Sequence, residues 1–261
     1  MRWTFIDSGK NSGKYNMDFD IFLSRHCAEN QAFFRLYRWE PYTISLGANQ
    51  SYEEIDTEKA DEDNIEVVKR PTGGRAILHA EELTYSIVLP VSYGLTAREV
   101  YNKTSIALSR GLGIYDDKLR SVELESHQPN FKNELIQPSG ALCFASTAKN
   151  EVKFNNKKLI GSAQRKMKDV ILQHGSILCG KYHTKLPYYL SDKSSVKSLL
   201  DELQSKTIEI STITNQEINY SKLSDSILTA FEIEWDISFE RDNHFIENEF
   251  EKSNLLINEN A

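Results

Sequence analysis

The stretch from Lys69 to Ser86, KRPTGGRAILHAEELTYS, constrains the fold more than any other part of the chain. Pro71 favours a turn, and Gly73-Gly74 permit either a positive φ or a backbone approach that a Cβ would block. Leu83 to Leu89 is rich in β-branched and aromatic residues and reads as a strand. The pattern is strand, glycine turn, strand, with Lys69, Arg70, Arg75 and His79 gathered around the bend. Backbone N–H groups and cations in such a bend suit an anion or a polarised carbonyl. A glycine pair alone marks only a turn. The charges around it give the functional reading its weight.

The chain has 261 residues, enough to bury a substantial core, and a single α+β domain is the simplest organisation. Its net charge of -7 argues against bulk attraction to nucleic acid or to an anionic membrane. The opening residues, MRWTFIDSGKNSGKYN, contain no apolar core of signal-peptide length, and no apolar run approaches a membrane span. Three widely spaced cysteines (Cys27, Cys143 and Cys179) do not make a disulfide framework. The expected compartment is therefore the reducing cytoplasm.

Taken in order, Arg2 to Asp7 reads as a strand, and Asn16 is placed to cap a helix from Met17 to Cys27. Ala32 to Trp39 and Tyr42 to Leu46 read as two strands joined around Glu40-Pro41, followed by a short helix from Glu53 to Ala60. Thr96 is placed to cap a helix closed by Gly111 or Gly113. Tyr115 to Leu142 is long, polar and irregular, the kind of connection that is commonly functional. Glu151 to Phe154 and Lys158 to Lys168 form a hairpin about Asn155-Asn156, and Val170 to Cys179 is a further strand. From about residue 190 the chain reads as helical, with helices over Ser195–Leu203 and Lys222–Trp235.

Cys27 and Cys179 read as small buried hydrophobes. Cys143, at the end of the long polar stretch, is a candidate nucleophile if a cation such as Lys158 lowers its pKa. Gly161, Ser162 and Ala163, three small residues in a strand, permit close approach of a ligand, and an extended acyl chain would fit such a groove. Lys158 is placed to hold a carboxyl-derived oxygen or a phosphate. His79 either bonds to backbone or lies near a reacting carbonyl. Cys179 and His183 lack a second ligand pair and make a poor metal site. Arg165, Lys166 and Lys168 form a basic cluster that is either a solvated strand edge or a dock for an acidic partner. The phosphate-loop, dinucleotide-fingerprint and nucleophile-elbow motifs are all absent.

Together these residues resemble the superfamily of lipoate–protein ligases, lipoyl/octanoyl transferases and biotin–protein ligases. Arg70 to His79 with Glu82 to Ser86 is similar to its arginine–threonine–glycine–glycine signature. Leu46 to Gln50 is similar to its leucine–glycine turn, and Lys158 to Gln164 to its lysine strand. Phe5 to Gly9 and Gln173 to Leu178 complete five motifs in the family's order across about residues 1 to 200. Ala141-Leu142-Cys143-Phe144 resembles the cysteine loop of the octanoyltransferases of Gram-positive type, with Leu142 as a departure from the pattern.

The resemblance implies a biotin ligase-like (class II synthetase-like) α+β fold, with a largely antiparallel sheet flanked by helices. It implies transfer of an octanoyl group from octanoyl-acyl carrier protein to the lysine of a lipoyl carrier domain, such as a glycine cleavage H protein or an E2 subunit. Cys143 and Lys158 are the implied catalytic pair. Arg70, Thr72, Gly73, Gly74, His79, Gly161, Ser162 and Ala163 are the implied substrate-binding residues. The expected enzyme is a monomer without metal or cofactor. Two alternatives use the same fold: an ATP- and magnesium-dependent lipoate ligase working through an acyl-adenylate, and an amidotransferase between lipoyl carrier proteins. A carrier-binding module without turnover is a third.

Overall fold

The structure, a computed structural model, describes residues 1–125, 151–241 and 243–258. Cys143 and most of the long polar stretch lie outside the described residues. Strand β1 (Arg2–Asn11) leads into helix α1 (Gly13–His26). Strands β2 (Gln31–Trp39) and β3 (Thr43–Leu46) follow, then helix α2 (Thr57–Glu62). Strands β4 (Glu66–Lys69), β5 (Ile77–His79) and β6 (Glu82–Pro90) precede helix α3 (Ala97–Tyr115) and the short strand β7 (Glu123–Leu124). Strands β8 (Val152–Phe154), β9 (Lys157–Lys166) and β10 (Val170–Leu178) come next. Helices α4 (Val196–Lys206), α5 (Ile210–Thr214) and α6 (Tyr220–Trp235), strand β11 (Phe239–Arg241) and helix α7 (Asn243–Asn258) complete the order.

The main sheet runs β11-β1-β2-β6-β10-β9-β8-β7, and a smaller sheet runs β4-β3-β5. Strand β1 is parallel to β2 and to β11; the remaining neighbours in the main sheet are antiparallel. This is the expected α+β architecture. The hairpin between β8 and β9 turns at Asn155 and Asn156, whose φ angles of 49° and 62° suit the asparagine pair read from the sequence.

Several local expectations give way to tertiary contacts. Ser12, not Asn16, caps α1, its side chain accepting from the Tyr15 N–H. The Glu66 carboxylate from β4 also accepts from the Gly13 and Lys14 N–H groups at 2.6 and 3.0 Å, so the helix start is fixed from the small sheet. The predicted helix over Glu53–Ala60 divides into a 3-10 turn at Tyr52–Glu54 and α2, each with its own cap. Gly111 and Gly113 lie inside α3, which runs on to Tyr115. A Cβ on Gly111 would come within 2.6 Å of Ile227 Cδ1, so this glycine serves the close packing of α3 on α6. The helical C-terminal region also contributes β11, which extends the main sheet beyond β1.

Alternation along the central strands divides the residues between two faces. Phe34, Tyr85, Ile87, Ile171 and Ile177 pack with Leu108, Leu112, Ile227 and Phe231 in a core against α3 and α6. On the other face, Phe33, Val88 and Leu172 meet Phe19, Phe22 and Leu23 of α1 and Phe250 of α7. Further along that same face the residues become polar, and the small sheet covers them.

Candidate active site

Cross-strand register lays out the polar part of this face in rows. Arg35, Ser86, His174 and Ala163 lie side by side on β2, β6, β10 and β9, and Tyr37, Thr84, Ser176 and Gly161 form the next row. Asp20, one of the buried residues of α1, spans the first row. Its carboxylate accepts from Arg35 Nη1 (3.0 Å), Ser86 Oγ (2.9 Å), His174 Nδ1 (3.0 Å) and Tyr37 OH (3.2 Å). Burial alone would raise the Asp20 carboxyl, but the His174 hydrogen bond and the Arg35 charge outweigh it and hold it below the ordinary value. Asn16 completes the cluster, accepting from Arg35 Nη2 at 2.7 Å while its amide donates to the carbonyls of Asn11 and Arg38.

From this hub a chain of hydrogen bonds reaches the glycine turn. His174 donates its Nδ1–H to Asp20 in a hydrogen bond, so Nε2 accepts from Thr72 Oγ1 at 2.6 Å. Burial lowers the His174 pKa and favours the neutral ring, while the bond to Asp20 offsets part of the shift and holds this tautomer in place. A second chain of the same kind runs beside it. Glu82 Oε1 lies 2.8 Å from His79 Nδ1, and His79 Nε2 lies 2.7 Å from Ser45 Oγ. Glu82 is fully buried, yet its carboxyl is held low because His79 and the Thr84 hydroxyl outweigh the burial penalty. Trp39 stacks on the His79 ring at 4.0 Å and donates its indole N–H to Thr84 Oγ1. Both nitrogens of His79 are therefore engaged, and the geometry gives it the work of a brace.

The turn itself is held from within. Arg70 donates to the carbonyls of Gly73, Arg75 and Ser45 and to Ser45 Oγ at 2.7 to 3.2 Å. Arg165, read from sequence as part of a basic cluster, donates to Pro71 O at 2.8 Å and so braces the turn from β9. Gly74 adopts a φ of 94°, and its carbonyl passes so close to Gly47 that a Cβ there would lie 2.0 Å away. Gly73 has open space around it.

Between the rows and the small sheet lies a narrow slot of about 20 Å³. Met17, Trp39, Ile77, His79, Gly161 and His174 are among its lining residues, with Arg70, Ser162 and Ala163. Gly175 also borders it; a Cβ there would lie 2.5 Å from the Gly161 carbonyl oxygen. Eight of the ten candidate site residues named from sequence thus meet at the turn or the slot, Thr72 being tied to the slot through His174. Lys158 stands apart from this lining. It is buried at the β8–β9 corner, its Nζ 2.9 Å from Glu151 Oε1.

The two described cysteines are poor nucleophiles. Burial pushes the Cys27 thiol up to about 12 and raises Cys179 as well, so neither is a thiolate at neutral pH. His183, weighed with Cys179 as a metal pair, instead has its nitrogens at Gly180 O (3.1 Å) and Thr207 Oγ1 (3.0 Å). Asp20, Arg35, Asn16, Ser45 and Glu82 are site residues that the sequence reading did not assign. Glu82, Thr84 and Ser86 did carry a signal: polar residues at period two within a strand whose other face is wholly apolar.

The family model for the lipoyl protein ligase A/B catalytic domain matches residues 12–232. Octanoyltransferase LipM of Macrococcus caseolyticus is 32% identical over 246 residues, covering 90% of this chain and 87% of that protein. Octanoyltransferase LipM of Bacillus subtilis is 31% identical over 249 residues, covering 91% and 88%. Among solved structures, a lipoate-protein ligase A bound with ATP superposes with a TM-score of 0.75 over 97% of this chain and 94% of that one. At 16% identity this likeness speaks to the fold alone. With a family match across most of its length and relatives above 30% identity along nearly all of it, the chain belongs to the lipoyl protein ligase A/B catalytic-domain family.

Proposed function

We propose that this protein is an octanoyltransferase of protein lipoylation, moving an octanoyl group from acyl carrier protein to the lysine of a lipoyl carrier domain. The observation that carries the reading is the end-to-end likeness to octanoyltransferases. It is supported by a sequence that contains both Cys143 and Lys158. Cys143, as thiolate, attacks the carbonyl carbon of the donor thioester. The carbonyl electron pair moves to oxygen, and collapse expels the carrier thiolate and leaves an octanoyl thioester on Cys143. The acceptor lysine, as the neutral amine, then attacks that thioester; collapse releases the Cys143 thiolate, and the amine proton passes to water as the amide forms. Lys158 stabilises the oxyanion in both steps. No ATP, metal or cofactor is consumed in this sequence. The reaction is placed in the cytoplasm, with the protein acting as a monomer.

The acyl chain occupies the slot beside Gly161, Ser162 and Ala163. The slot is narrow, at about 20 Å³, and widens around the chain as its lining moves. Met17, unbranched and with three rotatable bonds, is the lining group best suited to move. The braced turn of Arg70, Thr72, Gly73 and Gly74 keeps one wall fixed while this happens. Lys166 and Lys168, exposed at the end of β9 and just beyond it, dock the acidic carriers.

Intact-mass spectrometry after mixing the protein with octanoyl-acyl carrier protein, without ATP, tests the chemistry. An octanoyl adduct on the wild type that hydroxylamine removes and that Cys143→Ser lacks is the expected result. Modification of a lipoyl domain only when ATP and free octanoate are supplied would overturn it in favour of adenylate chemistry.

A further inference from the structure

The ion pair at the β8–β9 corner is, after Arg35–Asp20, the most buried lysine or arginine pair among the described residues. The Lys158 and Glu151 side chains are only 1% and 3% exposed, and Nζ lies 2.9 Å from Oε1. Taking two charges out of water costs several kcal/mol per ion, and replacing a buried ion pair with apolar residues of similar volume is often neutral or stabilising. Stability is therefore a weak account of the pair. The contrast with its neighbour is direct: the Lys153–Glu125 pair at the same corner is 16% and 15% exposed, and stays partly solvated.

Both partners stand on fixed backbone. The Glu151 carbonyl accepts from the Glu125 N–H at 2.8 Å, and the next residue, Val152, begins β8 and pairs with Leu124 and Ile160. The Lys158 carbonyl accepts from the Ile208 N–H at 3.0 Å. With the backbone set, what remains adjustable is the direction of the ammonium at the end of its four-carbon stem, and the Glu151 carboxylate at 2.9 Å is a partner that bears on that direction. The corner is linked to the slot lining through Tyr85. Tyr85, whose phenol is pushed up to about 12 by burial with a contribution from the Glu151 charge, hydrogen-bonds Ser162 of the slot lining at 2.7 Å.

We propose that Glu151 is the positioning residue for Lys158, its carboxylate fixing where the ammonium points during acyl transfer to and from Cys143. The proposal rests on the octanoyl-transfer reading above. As the oxyanion forms on the substrate carbonyl, Lys158 donates to it and keeps its proton, while Glu151 holds the same ammonium from the other side. Glu151 touches no reacting atom.

Single-turnover formation of the octanoyl adduct, followed by intact mass across donor concentrations, tests this in the full-length protein. Glu151→Gln is expected to slow adduct formation at saturating donor by about 10- to 100-fold while leaving the half-saturating donor concentration unchanged. In a Lys158→Met background the same change is expected to cost nothing further, because its route of action is already gone. Glu151→Asp keeps the charge but draws it back by one methylene, and is expected to be about 3- to 10-fold slower than wild type. If Glu151→Gln does not fold, Glu151→Asp carries the test alone. A wild-type rate in the foldable variant, a changed half-saturation in place of a changed rate, or equal losses with and without Lys158 would each overturn the proposal. Wild-type protein that forms no adduct defeats the octanoyl-transfer reading instead, so the two failures are distinguishable.

Discussion

The two faces of the central sheet are built from alternate residues of the same strands and follow opposite logic. Toward α3 and α6, Phe34, Tyr85, Ile87 and Ile177 meet Leu108, Leu112 and Phe231, with Phe34 and Phe231 stacked at 4.0 Å. This contact is non-directional, and its worth follows the apolar area removed from water. Toward α1 and the small sheet, Arg35, Ser86, His174 and Tyr37 each have an assigned partner atom on Asp20. A buried polar network of this kind gains little when complete and loses much when a member is removed. One face stabilises the sheet. The other spends part of that stabilisation on holding the glycine turn and the slot wall in one geometry.

The sharpest way to break the comparison is to make one change on each face. Asp20→Ala leaves a fully buried Arg35 guanidinium without its counter-ion and is expected to cost about 3–5 kcal/mol in urea unfolding. Leu108→Met, on the apolar face, keeps volume and is expected to cost less than about 1.5 kcal/mol. Equal, small losses from both would mean that the Asp20 hub is no more demanding than ordinary packing. Gly175→Ala tests where the faces adjoin. Its Cβ would sit 2.5 Å from the Gly161 carbonyl oxygen and 2.8 Å from both Ser162 Oγ and Tyr85 Cε1. A cost of about 1–3 kcal/mol is expected in thermal unfolding, with slower adduct formation because Gly161 and Ser162 line the slot. Unchanged stability together with an unchanged adduct rate would show that the wall yields freely.

How much of this was legible in the sequence follows the range of the forces involved. Strands with a dominant pattern, such as Leu83–Leu89, and the Asn155-Asn156 hairpin were readable because neighbours in sequence decide them. The cap of α1 was not, because Glu66 approaches from 53 residues away and fixes the helix start at Gly13. The main α+β sheet was anticipated, but β2 and β3, adjacent in sequence, enter different sheets. Arg70, Gly74 and His79 were legible as a cluster because one turn contains them. The partners that define their roles were not: Ser45 lies 34 residues from His79, and Asp20 lies 154 residues from His174. Residue type announced that chemistry was present, while the protonation pattern needed the fold.

That protonation pattern gives the smallest expected effect and a sign that the apolar face cannot imitate. His174 is held below the ordinary histidine value by burial, with Asp20 offsetting part of the shift; His183 is lowered likewise, with Glu209 as its offset. In the unfolded chain these rings titrate near 6.5. As pH falls below that value the unfolded state binds protons that the folded state refuses, so folding stability declines. Asp20, depressed in the fold, adds to the same trend at lower pH: its contribution is full above the ordinary aspartate value of about 3.9 and is lost as pH falls through its folded value. Urea midpoints measured at about pH 7.5, 6 and 5 are therefore expected to fall in that order for the wild type. His174→Gln removes one of the titrating rings and should make the fall shallower, with His183 supplying the remainder. Leu108→Met should shift all three midpoints together and leave the slope alone. A wild-type midpoint that rises toward pH 5 would reverse the sign, and would mean that His174 binds its second proton in the folded state and meets Thr72 as a donor.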